Sequence, residues 1–406
     1  MCLNSTPRSE RLHITILGRR NAGKSSLINA ITGQDIALVS PIKGTTTDPV
    51  YKAMELLPLG PVVLIDTAGL DDEGELGELR KKKTMDVLNK TDIAILVVDG
   101  KVGIGEFEEH LMNLLRGYKF PVIGAVNKVD QSLINSEIIT QYSQKWGIPL
   151  IEVSSITGKG IEALKKAIVE VAHTEEQRDV IVRDLISPGD FVVLVVPIDK
   201  SAPKGRLILP QQQVIRDILD GRGMAVVTQE DRLKATIDGL AVKPRLVITD
   251  SQVFHKVAAD TPPDIPLTSF SILFARYKGD LKELVRGAHA VAQLKDGDRV
   301  LIAEACTHHR QDDDIARVKI PRWLKQKTGR DLNLNFVSGV DFPDNLKDYS
   351  LVIHCGGCML TRREMLYRIR QVTSAGVPIV NYGVFIAYVN GILERVLQPF
   401  ETELRR

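Results

Sequence analysis

The chain has 406 residues, 44% hydrophobic and 26% charged, with a formal net charge of +2. At about 150 residues per domain this suggests two to three domains, and the composition excludes a disordered, collagen-like or coiled-coil chain. Balanced charge and only 5% aromatics argue against nucleic acid as a partner. The N-terminus has no apolar signal region. The longest uncharged stretch, Val377 to Leu393, is interrupted by Pro378, Asn381, Gly383 and Asn390; it reads as a buried strand and helix rather than a membrane span. A cytoplasmic protein is expected. Its four cysteines, Cys2, Cys306, Cys355 and Cys358, are too few for a disulfide scaffold and would stay reduced.

Leu12 to Leu17 is a short apolar run of buried-strand type. It leads into Gly18-Arg-Arg-Asn-Ala-Gly23-Lys24-Ser25 and then the helical SSLINAI. This is the G-x-x-x-x-G-K-[ST] phosphate loop in its required place between strand and helix. Gly18, Asn21, Ala22, Gly23, Lys24, Ser25 and Ser26 form the cradle. Lys24 is expected to reach the β- and γ-phosphates and Ser25 to ligate Mg²⁺, with the helix N-terminus adding positive potential.

Val62 to Ile65 is a second strand, ending in Asp66-Thr-Ala-Gly69. Asp66 is placed to hold the Mg²⁺ shell and Gly69 to offer its N–H to the γ-phosphate. Ile93 to Val98 and Pro121 to Val126 are further core strands, the latter running into Asn127-Lys128-Val129-Asp130. A carboxylate at Asp130 accepts from the guanine N1–H and 2-amino group, a pair that adenine lacks, so it selects GTP. Leu150 to Val153 leads into Ser154 and Ser155, a second contact to the base. Strands alternating with helices give a doubly wound α/β sheet with ligands at the carboxyl ends of its strands.

These motifs, in order from Leu12 to about Ala172, resemble the TrmE–Era–EngA group of GTPases. Gly44-Thr45-Thr46-Thr47-Asp48 resembles that group's GTTRD switch I. The resemblance implies that Thr46 closes over Mg²⁺ and the γ-phosphate, and Thr47 stands where the group has arginine. It also implies a K⁺ ion held by Asn21, in the electrostatic place of an arginine finger. Leu70 occupies the position of the water-positioning glutamine, so slow intrinsic hydrolysis is expected. The acidic stretch Asp71, Asp72, Glu73, Glu75 and Glu78 supplies a replacement carboxylate or is simply a solvated loop.

His173 to Asp184 is a charged connector that ends a GTPase domain spanning 1–173. A smaller α/β domain at 184–262 follows. Its buried strands are Asp190 to Val196, Met224 to Val227 and Arg245 to Thr249, and its helices lie at Gln211 to Leu219 and Asp231 to Leu240. It contains no catalytic constellation, and dimerisation or partner docking is expected of it. Thr261 to Pro266 (TPPDIP) reads as a linker.

A third α/β domain, 266–406, has a helix at Lys282 to Ala292. Its strands are Arg299 to Ala303, Leu332 to Val337, Leu351 to Ile353 and Pro378 to Val380. The first runs into Cys306-Thr-His308-His309 and the third into His354-Cys355-Gly-Gly-Cys358. Two strands therefore deliver three thiols to the usual ligand crevice of an open sheet. With nearby histidines these could form a Cys₃His zinc site or a three-thiolate iron–sulfur site with a labile corner. A redox pair at Cys355 and Cys358 would leave Cys306 unused.

A GTPase domain followed by CxH, a gap of about 45 residues and HCxxC resembles the HydF family of FeFe-hydrogenase maturation GTPases over essentially the whole chain. The resemblance implies a 4Fe-4S cluster on Cys306, Cys355 and Cys358, with His308 and His354 as ligand or supporting residues. Asp312, Asp313 and Asp314 are further oxygen donors within chain reach. It implies a GTP/GDP-switched scaffold, dimeric or larger, that accepts a transient di-iron unit made with the radical-SAM maturases HydE and HydG and hands it to apo FeFe-hydrogenase. The competing reading is an RNA-modification or ribosome-assembly GTPase with a zinc-stabilised tail.

Overall fold

A computed structural model describes residues 6–33, 49–69, 83–118, 120–131, 135–173, 180–197, 207–305, 314–339, 342–343 and 345–405. Thr46, Leu70 and the acidic stretch after it, Cys2, Cys306, His308, His309, Asp312 and Asp313 lie outside these residues. The chain divides into two compact units, Met1–Arg178 and Asp179–Arg406.

The first unit is built on a six-stranded sheet. Its strands are β1 (Leu12–Gly18), β2 (Val50–Leu56), β3 (Gly60–Asp66), β4 (Ile93–Asp99), β5 (Val122–Asn127) and β6 (Leu150–Glu152), in the order β2-β3-β1-β4-β5-β6. All pair in parallel except β2 with β3. Successive side chains of a strand point to opposite faces, and β4 shows why its sequence is a continuous apolar run. Ile93, Ile95 and Val97 pack with Leu27, Ile31, Leu164 and Ile168. Ala94, Leu96 and Val98 pack with Leu111, Leu115 and Trp146. Helices cover both faces, so neither face is polar. The antiparallel β2 escapes the sequence reading because it is an edge strand with mostly exposed or half-buried residues.

The second unit carries two parallel four-stranded sheets. The first comprises β7 (Phe191–Val195), β8 (Met224–Thr228), β9 (Leu246–Thr249) and β10 (Leu267–Ser269), in the order β10-β9-β7-β8. The second comprises β11 (Arg299–Glu304), β12 (Asn333–Ser338), β13 (Leu351–His354) and β14 (Ile379–Asn381), in the order β12-β11-β13-β14. One hydrophobic core runs through both, from Val192 and Leu194 through Phe274 to Ile302, Ile353 and Phe385. The Phe270–Lys278 helix packs on the Tyr382–Val389 helix, where a Cβ on Gly383 would lie 2.3 Å from Ser271 Cβ.

Two expectations need correction here. β8 is a sheet edge, not a buried strand: Met224 and Val227 are 40% and 46% exposed. Thr261 to Pro266 is packed rather than a linker. Ile265 is fully buried, the Pro266 carbonyl accepts from Val247 N–H, and Arg395 donates to the carbonyls of Ala258, Thr261 and Pro262. Proline there ends a helix and leads into β10, which a composition-based reading cannot distinguish from a free connector. The start of the unit is also held: Asp217 Oδ2 accepts the N–H groups of Ile181, Val182 and Arg183 at 3.1, 2.7 and 2.9 Å.

Candidate functional site

β1 ends at Gly18 and the Lys24–Thr32 helix begins at Gly23, so the phosphate loop spans one tight reversal. Gly23 has φ +90°, and a Cβ there would meet Asn127 Nδ2 at 2.3 Å. A side chain is therefore excluded by both backbone conformation and space. Asn21 also has positive φ (60°) and is exposed. Lys24 is buried and folds back over the loop, donating to the carbonyls of Gly18 (3.0 Å) and Arg19 (2.8 Å).

At the end of β3, Asp66 Oδ2 accepts from Ser25 Oγ at 2.5 Å, while its Oδ1 is buried without a hydrogen-bond partner. Burial raises the Asp66 carboxyl above the ordinary carboxylate range, against the Ser25 bond and the Lys24 charge. A desolvated carboxylate oxygen beside a serine hydroxyl is the donor set of a Mg²⁺ site: hard oxygen ligands with one lone pair unspent. Ser25 and Asp66 fit this ion, which would neutralise charge on a bound triphosphate.

The base-binding motifs interlock with the loop. Asn127 donates to the Ala22 carbonyl (3.0 Å) and accepts from the N–H and Oγ of Ser155 (3.1 and 2.9 Å). Lys128, at φ 68°, donates to the Asn21 carbonyl and to Asp99 Oδ2, both at 2.6 Å. Asp130 is exposed and accepts from Ser154 Oγ at 2.6 Å, which holds its carboxyl below the ordinary range. It is thus ionised and solvent-facing, as an acceptor for a base edge must be. Ser154 and Ser155 thus orient Asp130 and Asn127. Asp99 had no sequence signal beyond its place at a strand end. Arg19 was also overlooked: it makes two bonds, at 2.6 and 3.0 Å, to Glu108, a buried carboxylate that also accepts Gly105 N–H.

The thiols sit at the carboxyl end of the second unit's second sheet. Cys355 follows β13 directly; its N–H donates to the Ala303 carbonyl, and its Sγ accepts from Ala305 N–H at 3.1 Å. The residue preceding Cys306 is thereby held against the Cys355 sulfur. Burial pushes the Cys355 thiol up to about 11, while Cys358 is exposed. Gly357 turns the loop at φ +62°, where a Cβ would meet Met365 Cε at 2.3 Å. Cys355 and Cys358 on a glycine turn, with an N–H already directed at sulfur, fit thiolate ligation of an iron–sulfur group. Among the described residues no three His, Cys, Asp or Glu side chains gather as a metal site.

His354 is buried with both nitrogens engaged. Arg368 Nη1 donates to Nε2 at 3.1 Å, so Nδ1 carries the proton and donates to the Cys355 carbonyl at 2.7 Å. Burial, with the Arg368 charge, lowers the ring to about 4. In this tautomer both ring nitrogens are engaged, and His354 supports the loop through the Cys355 carbonyl. Asp314 Oδ1 accepts Arg317 N–H as a helix cap. Lys278 is buried and donates to the carbonyls of Cys358 (3.4 Å) and Leu360 (3.0 Å). Neither Lys278 nor Arg368 stands near a motif in sequence, and only the fold exposes their role.

A phosphate loop, the Ser25–Asp66 pair and an exposed Asp130 on one doubly wound sheet are the features of a P-loop GTPase domain, followed here by two smaller α/β domains. Residues 13–128 match the 50S ribosome-binding GTPase model, 181–279 the hydrogen maturase F dimerization domain and 282–399 the hydrogen maturase F tetramerization domain. The chain belongs to the HydF-type hydrogen maturase GTPases. Among curated proteins it is similar to GTPase Der of Nautilia profundicola, 34% identical over 175 residues, 41% of this chain and 38% of that protein. It is also similar to GTPase Era of Halothermothrix orenii, 33% identical over 160 residues, 38% of this chain and 53% of that protein. The chain thus spans about half or less of the length of these relatives. Of solved structures, the G domain of the T. maritima FeoB iron transporter is 29% identical with a TM-score of 0.33, covering 40% of this chain and 99% of that one. Among the described residues no helix is long and apolar enough to cross a membrane.

Proposed function

We propose that this hydrogen maturase GTPase is a GTP-hydrolysing scaffold that holds a 4Fe-4S cluster on Cys306, Cys355 and Cys358 and passes a di-iron unit to apo FeFe-hydrogenase. The observation that carries this reading is the Ala305 N–H on Cys355 Sγ, which brings the segment leading to Cys306 to the HCGGC turn. The matches to both hydrogen maturase F domains support the same reading. When bound, the cluster would supply an iron with an open position for cargo. The protein's part would be to present three thiolates and hold the loop through His354. HydE and HydG are the expected donors of the cargo, in a cytoplasmic setting.

GTP hydrolysis would act as a switch rather than as chemistry at the cluster. Lys24 would leave its loop carbonyls for the phosphates, Ser25 and Asp66 would hold Mg²⁺, and Thr46 would close over the γ-phosphate. K⁺ at Asn21 would stimulate turnover; equal rates in Na⁺ and K⁺ buffers count against it. The exposed apolar edge β8, flanked by Leu219 at 55% exposure, supports homodimer formation by edge pairing.

The test is anaerobic reconstitution of the full chain with iron and sulfide, followed by addition to apo-hydrogenase and assay of H₂. Visible charge-transfer absorption and hydrogenase activation are expected, and both should be lost in Cys355→Ser. The match to a ribosome-binding GTPase model and the Der and Era relatives favour a second reading, a ribosome- or RNA-directed GTPase with a zinc tail. Zinc uptake without visible absorption, and no activation, would select it.

A further inference from the structure

We propose that Lys278 is a positioning residue of the thiolate site, reaching out of the dimerization domain to hold the HCGGC turn and place positive charge behind it. The inference rests on the cluster reading above. Lys278 ends the Phe270–Lys278 helix and is 2% exposed. An ammonium has three donors and no acceptor, and this one is spent in part on the Cys358 and Leu360 carbonyls. Those two carbonyls bracket the exit of the turn, so their positions fix where the Cys358 side chain starts.

The anchorage crosses a domain boundary. Residue 278 falls within the dimerization match, 181–279, whereas Cys358 and Leu360 fall within the tetramerization match, 282–399. A second bond makes the same crossing in reverse: Arg362 Nε donates to the Tyr277 carbonyl at 2.8 Å. The end of one helix is thus tied to both the turn and the start of the Arg362–Ser374 helix behind it. Arg368, from that helix, holds the other side of the turn through His354. Two buried basic side chains therefore support a loop whose own ligands are anionic when they bind metal; Arg368 is also paired with the buried Glu364 at 3.6 Å, so the charge in question is that of Lys278. Reduction of a thiolate-bound cluster adds one negative charge, so positive charge behind the loop favours the reduced form.

The experiment uses the full chain, reconstituted anaerobically, with iron content, cluster affinity and reduction midpoint as readouts. Lys278→Gln keeps a donor for the carbonyls and removes the charge. It is expected to load iron as the parent does, with a tenfold weaker reduction equilibrium, about 59 mV for one electron. Lys278→Met removes donor and charge and is expected also to lose about tenfold in cluster affinity, the scale of outer-sphere support. Lys278→Arg keeps the charge and should keep the parent's midpoint. If the parent takes up no cluster, the cluster reading itself fails. If the parent loads and both neutral variants match its affinity and midpoint, the role of Lys278 is overturned while the cluster reading stands. Should neither neutral variant fold, Lys278→Arg decides: a folded Arg variant whose midpoint falls tenfold in equilibrium overturns the proposal, and one that keeps it supports it.

Discussion

The nucleotide site and the thiol turn both sit at the carboxyl ends of parallel strands, yet they are built in opposite ways. In the first, polar side chains hold one another: Ser25 with Asp66, Lys128 with Asp99, Ser154 with Asp130. The ligating groups are already close to their working geometry, and one buried oxygen, Asp66 Oδ1, is left for an ion. In the second, the Cys355 and Cys358 thiols sit on a glycine turn. Of the organising polar groups, His354 and Lys278 hold backbone carbonyls of the turn, and Arg368 holds the His354 ring. The first is locked by side-chain pairs as well as by bonds to its loop carbonyls, and the second by polar groups placed behind its turn.

The sharpest way to break this comparison is Lys24→Ala. GTP hydrolysis should fall by about a hundredfold or more, the scale of losing one preorganised charged donor, while iron content per chain stays unchanged; parallel loss of both would show that the sites are not separately built. Asp130→Asn should weaken GTP binding by about a hundredfold, the scale on which an unpaired polar contact discriminates, as read by titration with a fluorescent nucleotide. Gly287→Ala probes the second unit alone. A Cβ there would lie 1.9 Å from the Ile379 carbonyl oxygen on β14, and the overpacking should cost about 3 kcal/mol, lowering the second unit's melting transition and leaving nucleotide affinity intact. The most gradual effect is a pH dependence of the first unit, spread across a range of pH rather than set by one substitution. Burial lowers the His13 ring to about 4, so between about 4 and the ordinary 6.5 the unfolded chain binds more protons there than the folded one. Stability should rise with pH across that window, by up to about 3 kcal/mol, and His13→Gln should flatten the slope in denaturant melts taken at stepped pH.

The two sites also differ in how far the sequence discloses them. The phosphate loop is contiguous, and each base-binding motif follows an apolar run, so Lys24, Asp66 and Asp130 could be assigned from spacing alone. The doubly wound α/β class followed from the alternation of apolar runs with helices, whereas the order of the strands in the sheet did not. β2 was missed because an edge strand carries no buried face. The thiol turn was visible as HCGGC, but its support was not: Lys278 lies 80 residues from Cys358 in sequence and looks like an ordinary basic residue near the end of a helix. Thr261 to Pro266 misled for a related reason, since prolines that end a helix inside a core have the same composition as those in a free connector. The roles of Cys306 and Thr46 still rest on motif alone, since both fall outside the described residues.

The common core of the second unit has a mechanical consequence. Its two sheets share buried side chains from Val192 to Phe400, so they should open to solvent exchange as one cooperative block. A chain cut between them would expose apolar surface on both fragments, and neither would be a faithful miniature of its half. An event at the β8 edge, such as the arrival of a second copy, would therefore reach the thiol turn as displacement of a stiff body. The Phe270–Lys278 helix, tied at its end to the turn through Lys278, would carry it.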